Sequence, residues 1–138
     1  CWGAGMFGQL AHGGTANTSK SKASAPEVGT VVQVTLAGGH GCARNDSGQV
    51  YCWGGNYDGQ VDPANASQAL VVPPRLLPDL ATDVAAGGSI VNVASTDQPF
   101  GFVCSILKTG GDIKCQGSNT AGQLGGTASG KVATVMLP

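Results

Sequence analysis

The sequence predicts an all-β chain assembled from a repeated four-stranded unit. Three observations carry this: a ten-residue signature that recurs three times, short alternating strands around turn-rich tetrapeptides, and no sustained 3.6-residue apolar period. The signature reads Cys1-Trp2-Gly3-Ala4-Gly5-Met6-Phe7-Gly8-Gln9-Leu10, returns at Cys52–Val61 as CWGGNYDGQV, and returns again at Cys115–Leu124 as CQGSNTAGQL. Cys, Gly, Gly and Gln keep their places in all three. A further column holds Gly5, Asn56 and Asn119. These residue types best tolerate positive φ, so the column predicts one left-handed backbone position per unit.

The elements follow in order. Thr30–Leu36 (TVVQVTL) alternates and is rich in β-branched residues, as a half-buried strand should be. Gly41–Arg44 and Gln49–Trp53 flank the turn tetrapeptide Asn45-Asp46-Ser47-Gly48 and predict a hairpin. The second unit repeats it with Val103–Leu107, the turn Lys108–Gly111 and Asp112–Cys115. Leu70–Val72 and Val132–Leu137, each bordered by Pro, read as outer strands. Asn17–Pro26 reads as a polar surface loop. Ala37-Gly38-Gly39 matches Ala86-Gly87-Gly88, but the distance from each to the next Cys differs. The second unit therefore carries an insertion of about thirteen residues within Ser89–Val103.

Units of this length with about four short strands each are propeller blades. The expected organisation is a first repeat over 1–51, a second over 52–114 with its insertion at 89–103, and the start of a third over 115–138. That makes about two complete four-stranded blades plus part of a third, a segment of a larger propeller or assembly. Val31–Val61, with His40, Cys42, Ala43, Cys52, Trp53, Gly54, Asn56, Gly59 and Gln60, resembles the regulator of chromosome condensation repeat. The resemblance covers nearly the whole chain, and it implies a propeller that uses seven blades when closed. Gln116 departs from it in the Trp column, and the second unit has no His at the place of His40. Trp2 and Trp53 are expected to wedge between blades.

The five Cys stand at 1, 42, 52, 104 and 115. Cys42 and Cys52 fall on facing strands of one predicted hairpin, and Cys104 and Cys115 do the same, a separation that allows cross-strand bridges. Cys1 holds the second-Cys place of its unit, so its expected partner lies outside this chain. Bridges of this regularity imply an oxidising, extracellular or cell-surface setting. Buried thiols of a cytosolic propeller are the alternative. Sequons at Asn17, Asn45 and Asn65 are candidates for N-linked glycans, although Asn45 also opens a turn, a role that needs none.

Little in the sequence points to catalysis. Gly3–Gly8 spells G-x-G-x-x-G, but Gln9–Gly14 cannot open the helix that a dinucleotide phosphate needs. His12 and His40 lie in no metal motif, and His40 reads as a structural strand residue. Asn56, Asp58 and Asp62 lack the distal Glu of a calcium loop. No cofactor is implied. Charged residues make up 11% of the 138 residues and the net charge is −1, which disfavours a nucleic-acid surface. No apolar run approaches a membrane span. Beginning at Cys1, the sequence reads as a piece of something longer. The expected function is a non-enzymatic secreted or cell-surface module for protein–protein interaction, with Phe100 and Phe102 of the insertion as the partner-binding candidates. A structural subunit of a glycosylated filament or ring, assembled from copies of itself head-to-tail, is the alternative. An accessory domain of a larger enzyme is the third reading.

Overall fold

In the computed structural model of the chain, the described residues are 1–11, 14–15, 28–66, 71–93, 96–125 and 132–135, without the side chains of 71, 91–93, 96 and 97. They form two antiparallel four-stranded sheets. The first runs β1 (Val31–Leu36), β2 (His40–Asn45), β3 (Val50–Gly55) and β4 (Val71–Leu76), and the second β5 (Ala81–Val93), β6 (Thr96–Leu107), β7 (Ile113–Gly117) and β8 (Val132–Val135). In both, the strands lie in sequence order across the sheet. Each sheet is a blade, and the chain steps from one to the next over Leu77–Leu80. Cys52 lies inside β3, so the sequence period begins on the third strand of a blade and each signature covers that strand's end and the turn leaving it. A one-turn 3-10 helix, Pro63–Asn65, was not foreseen; Asp62 caps it by accepting from the Ala64 amide.

The blades share one core. Cys42, Val50, Cys52, Val61 and Val72 of the first pack against Ala81, Val84 and Val103 of the second. Polar groups complete the joint along β1. The Gln33 carboxamide donates to the Val84 carbonyl at 2.9 Å and accepts from the Val84 amide, while Thr35 Oγ1 accepts from the Ala86 amide at 3.0 Å. Gln33 also donates to Asp83, which holds that exposed carboxyl below the usual carboxylate range.

β1 thus reverses the expectation from its pattern. Its polar members Gln33 and Thr35 face the neighbouring blade, and the apolar row Val32, Val34 and Leu36 is exposed. Alternation identified the strand correctly, but which face is covered depends on where the next blade sits.

The Gly5/Asn56/Asn119 column is also corrected. Positive φ occurs at Gly3, Gly54 and Gly117 and at Gly8, Gly59 and Gly122, and not at the Asn column. Asn56 is retained for its side chain. Its Oδ1 accepts from the Val61 and Asp62 amides at 2.8 Å, and its Nδ2 donates to the Asp62 and Asn65 carbonyls. Asn119 Oδ1 repeats the bond to the Leu124 amide. Asn56→Ala should therefore cost about 2–4 kcal/mol in urea unfolding, because four hydrogen bonds, three of them buried, are left half-made. Asn56→Gly should cost at least as much; a milder glycine variant would restore the left-handed explanation.

The Gln column closes the turns. Gln9, Gln60 and Gln123 each accept through Oε1 from the amide two residues earlier, at 2.8–2.9 Å. Trp53 Nε1 donates to the Gln9 carbonyl at 2.9 Å, and Gln116 Nε2 donates to the Gln60 carbonyl at 3.0 Å. Gln116 therefore performs the polar half of the Trp53 role, which explains the departure in that column. Trp53 is buried against Ala11 and Ala43. Trp2 is 77% exposed and is not wedged between blades, because the repeat turn that covers Trp53 has no counterpart over Trp2 among the described residues.

Candidate interaction site

The insertion is not a loop. β5 and β6 run on past the blade as a paired hairpin, with Gly88 opposite Gly101, Ile90 opposite Pro99 and Val93 opposite Thr96. The Cys-to-Cys ladder aligns Leu36 with Ala86, one residue away from the Ala-Gly-Gly match, so the extension amounts to twelve residues. β5 was not foreseen because Ala85, Ala86, Gly87 and Gly88 dilute the strand signal.

The base of this hairpin rests on the first blade. Pro99 is buried, and a Cβ at Gly39 or Gly55 would overlap its ring. Gln60 Nε2 donates to the Pro99 carbonyl at 2.7 Å, and the Gly101 amide donates to Asp58 Oδ2 at 3.4 Å. A proline with no N–H and a glycine amide met by Asp58 leave this stretch of strand edge covered. Phe100 and Phe102, the partner-binding candidates, are both half-buried. Phe100 stacks edge-on against Tyr57 at 4.8 Å, and Phe102 packs against the cluster of Cys115, Leu124 and Ala133. Both rings thus already serve packing within the chain, and among the described side chains of the hairpin Ile90 is the more exposed apolar one.

His40 lies at the heart of the joint. It is fully buried, its Nε2 stands 3.4 Å from the Phe102 carbonyl, and Gly101 sits so close that a Cβ there would overlap the imidazole. Burial lowers its pKa to about 4, against a smaller opposing effect of the Phe102 carbonyl. Its Nδ1 has no hydrogen-bond partner among the described residues. A neutral imidazole walled in by backbone has no room for a substrate. His12 lies outside the described residues.

Both cysteine pairs occupy facing rungs. Cys42 is bonded to Cys52 with Cα atoms 4.1 Å apart, and Cys104 to Cys115 with Cα atoms 4.0 Å apart. The first disulfide is fully buried in the joint, whereas Cys104 is half-buried on the far side of the second blade. Cys1 is exposed.

The sequons separate. Asn45 is buried; its Nδ2 donates to the Val28 carbonyl at 2.7 Å and to Gln49 Oε1, and its Oδ1 accepts from the Gln49 amide. That geometry uses the side chain for the turn and leaves it turned away from solvent. Asn65 is exposed on the 3-10 helix, and Asn17 lies outside the described residues. Among the described residues no three His, Cys, Asp or Glu cluster as metal ligands, and no helix is long and apolar enough to cross a membrane.

Among the described residues, two surface cavities have room for a side chain or small ligand. One of about 370 Å³ lies at the outer rim between the blades, beside the ion pairs Arg75–Asp62 and Lys114–Asp79, both 2.5 Å. The other, about 420 Å³, lies over the free face of the first blade and is lined by Cys1, Trp2, Ala4, Gln9, Leu10, Leu36 and Ala37.

With this geometry in place, the likenesses to known proteins agree with it. Residues 31–60 match the family model of the regulator of chromosome condensation (RCC1) repeat. Over 90% of its length the chain is 28% identical to a secretion-regulating guanine nucleotide exchange factor of Bos taurus, of which it spans 25%. The crystal structure of human WBSCR16 superposes with a TM-score of 0.65 over 89% of the chain at 16% identity, and the chain covers 29% of it. The chain thus spans about a quarter of these longer proteins. The match to the RCC1 repeat lies in residues 31–60, and the described residues of the chain fold as two four-stranded blades.

Proposed function

We propose that the chain is a non-enzymatic propeller module of a secreted or cell-surface protein, working through protein–protein interaction. One observation carries the reading: β5 and β6 run on past the sheet as a paired hairpin braced on the first blade, and it presents Ile90 41% exposed. A projection of this kind on a rigid scaffold is where partners bind. A cystine in each blade supports an oxidising setting. The ionisable groups in view support no acid–base pair, since His40 is sealed in the joint and Asp62 and Asp79 are held in ion pairs.

Head-to-tail assembly from copies of itself is the second reading, and the exposure of Asn65 on the 3-10 helix supports its glycan. It demands a displacement, because Gln9 already holds the place on Trp53 that Gln123 of a neighbouring copy would need. The test is crosslinking from the hairpin of the intact secreted chain, run beside the same chain with residues 90–99 replaced by a short turn. The interaction reading expects defined hetero-crosslinks that the shortened chain loses. Crosslinks to itself in a sedimenting polymer would select the second reading. Accelerated release of labelled GDP from a GTPase would instead extend to this chain the exchange named for the bovine relative, and would overturn the proposal.

A further inference from the structure

We propose that the rim cavity between the two blades is a slot for the tryptophan side chain of a partner protein; this deepens the interaction reading and rests on it. Tyr51 and Trp53 flank Cys52 on β3, and Lys114 and Gln116 hold the same places around Cys115 on β7. Alternation puts both members of each pair on one face of their strand. The second blade thus has unbranched polar side chains at both places where the first has aromatic rings.

In the first blade the indole of Trp53 is buried against Ala11 and Ala43. It lies over Gly41, where a Cβ would stand 3.0 Å from Cζ2. In the second blade Gln116 keeps the hydrogen bond to the preceding turn, through the Gln60 carbonyl, but brings no ring. The repeat makes Asp62 and Ser105 the counterparts of Ala11 and Ala43. Val103 stands opposite Gln116 where Gly41 stands opposite Trp53. Its side chain takes up the inner end of the ring's place, leaving a gap of only about 10 Å³ beside Ser105. Nothing among the described residues fills the outer end. The cavity of about 370 Å³ opens there, with Lys114 and Gln116 of β7 on one side and Asp62 on the other. Both walls belong to the two described blades.

The chemistry of the walls selects the occupant. Val61, Leu77, Pro63 and Pro78 make most of the lining apolar. Arg75 and Lys114 also line it, with side chains 54% and 30% exposed, each tied to a carboxylate. Cations on a pocket wall attract the negative face of an aromatic ring, indole most strongly. Asp62 and Asp79 neutralise both cations, so an anionic ligand gains no net attraction. Tryptophan is also an anchor that fills such pockets across protein interfaces.

N-acetyl-tryptophan amide, a neutral stand-in for a peptide-borne indole, is the probe, titrated into the intact isotope-labelled chain. Saturable shifts of the Gln116 side-chain amide and the Val132 backbone amide are expected, with a Kd below about 5 mM. Val103→Gly combined with Gln116→Trp rebuilds the pair of the first blade and fills the slot with the chain's own indole. The probe should then bind at least about tenfold more weakly, read at Val132. Lys114→Met keeps the length of the side chain without its charge and should weaken the probe about two- to fivefold. Ile90→Ser, on the hairpin, should leave the Kd unchanged. No saturable shifts, or equal affinity in the refilled variant, would overturn the slot. Shifts with free indole but none with the amide would overturn its assignment to a partner's side chain. Because this titration reads the rim and the crosslinking assay reads the hairpin, failure of the slot is distinguishable from failure of the interaction reading.

Discussion

Replacing Cys42 and Cys52 together by alanine should lower the unfolding free energy by about 3–5 kcal/mol, more than any surface change in the chain. Closing a loop of ten residues accounts for nearly 3 kcal/mol of this by the chain-entropy argument. The remainder comes from the joint, where both sulfurs are fully buried among Val50, Val61, Val84 and Val103. The Cys104–Cys115 pair closes almost the same loop, but Cys104 is half-buried on an open face. C104A/C115A should therefore cost about 2–3 kcal/mol, close to the entropic part alone. Urea unfolding of both double variants beside the parent measures the difference. Equal losses, or a larger loss for the second pair, would mean that the joint is not the tightly packed core described above.

Acidification should loosen the same joint through His40. Its folded pKa lies near 4, below the unfolded value of 6.5, so the unfolded chain binds more protons between those two pH values. Stability from the buried neutral ring is therefore complete above about pH 6.5, declines toward pH 4 and is level below it; the full shift is on the order of 3 kcal/mol. His40→Phe tests the sign, since Phe102 shows that this place in the repeat accepts an aromatic ring. The variant should lose the fall in melting temperature between pH 7 and pH 4.5 that the parent shows. A parallel fall in both would assign the acid sensitivity to carboxylates.

The parts of the fold that were legible in the sequence are those fixed by local chemistry. Turn tetrapeptides marked the hairpins, and the cysteine spacing brought Cys42 opposite Cys52 and Cys104 opposite Cys115. The signature marked the turns because Gly59 and Gly122 must adopt positive φ and Gln60 and Gln123 must cap them. The parts that were not legible depend on a neighbouring blade. Alternation in β1 could not say that Gln33 rather than Val34 faces the second blade. Pro99 and Phe100 looked like loop residues because the surface that makes them strand is Gly39, Gly55 and Tyr57, distant in sequence. The candidate site was legible as a segment, since Ser89–Val103 broke the repeat. That its base is a braced hairpin emerges only from the packing.

Peptide mapping without reduction, on chain isolated from its source with thiols alkylated at lysis, tests the central claim most directly. Two oxidised blades with the register described here predict crosslinked peptides joining Cys42 to Cys52 and Cys104 to Cys115, and no alkylation at those four residues. Alkylated cysteines at all four, or a bridge from Cys42 to Cys104, would contradict both the oxidising setting and the blade register on which the functional reading stands.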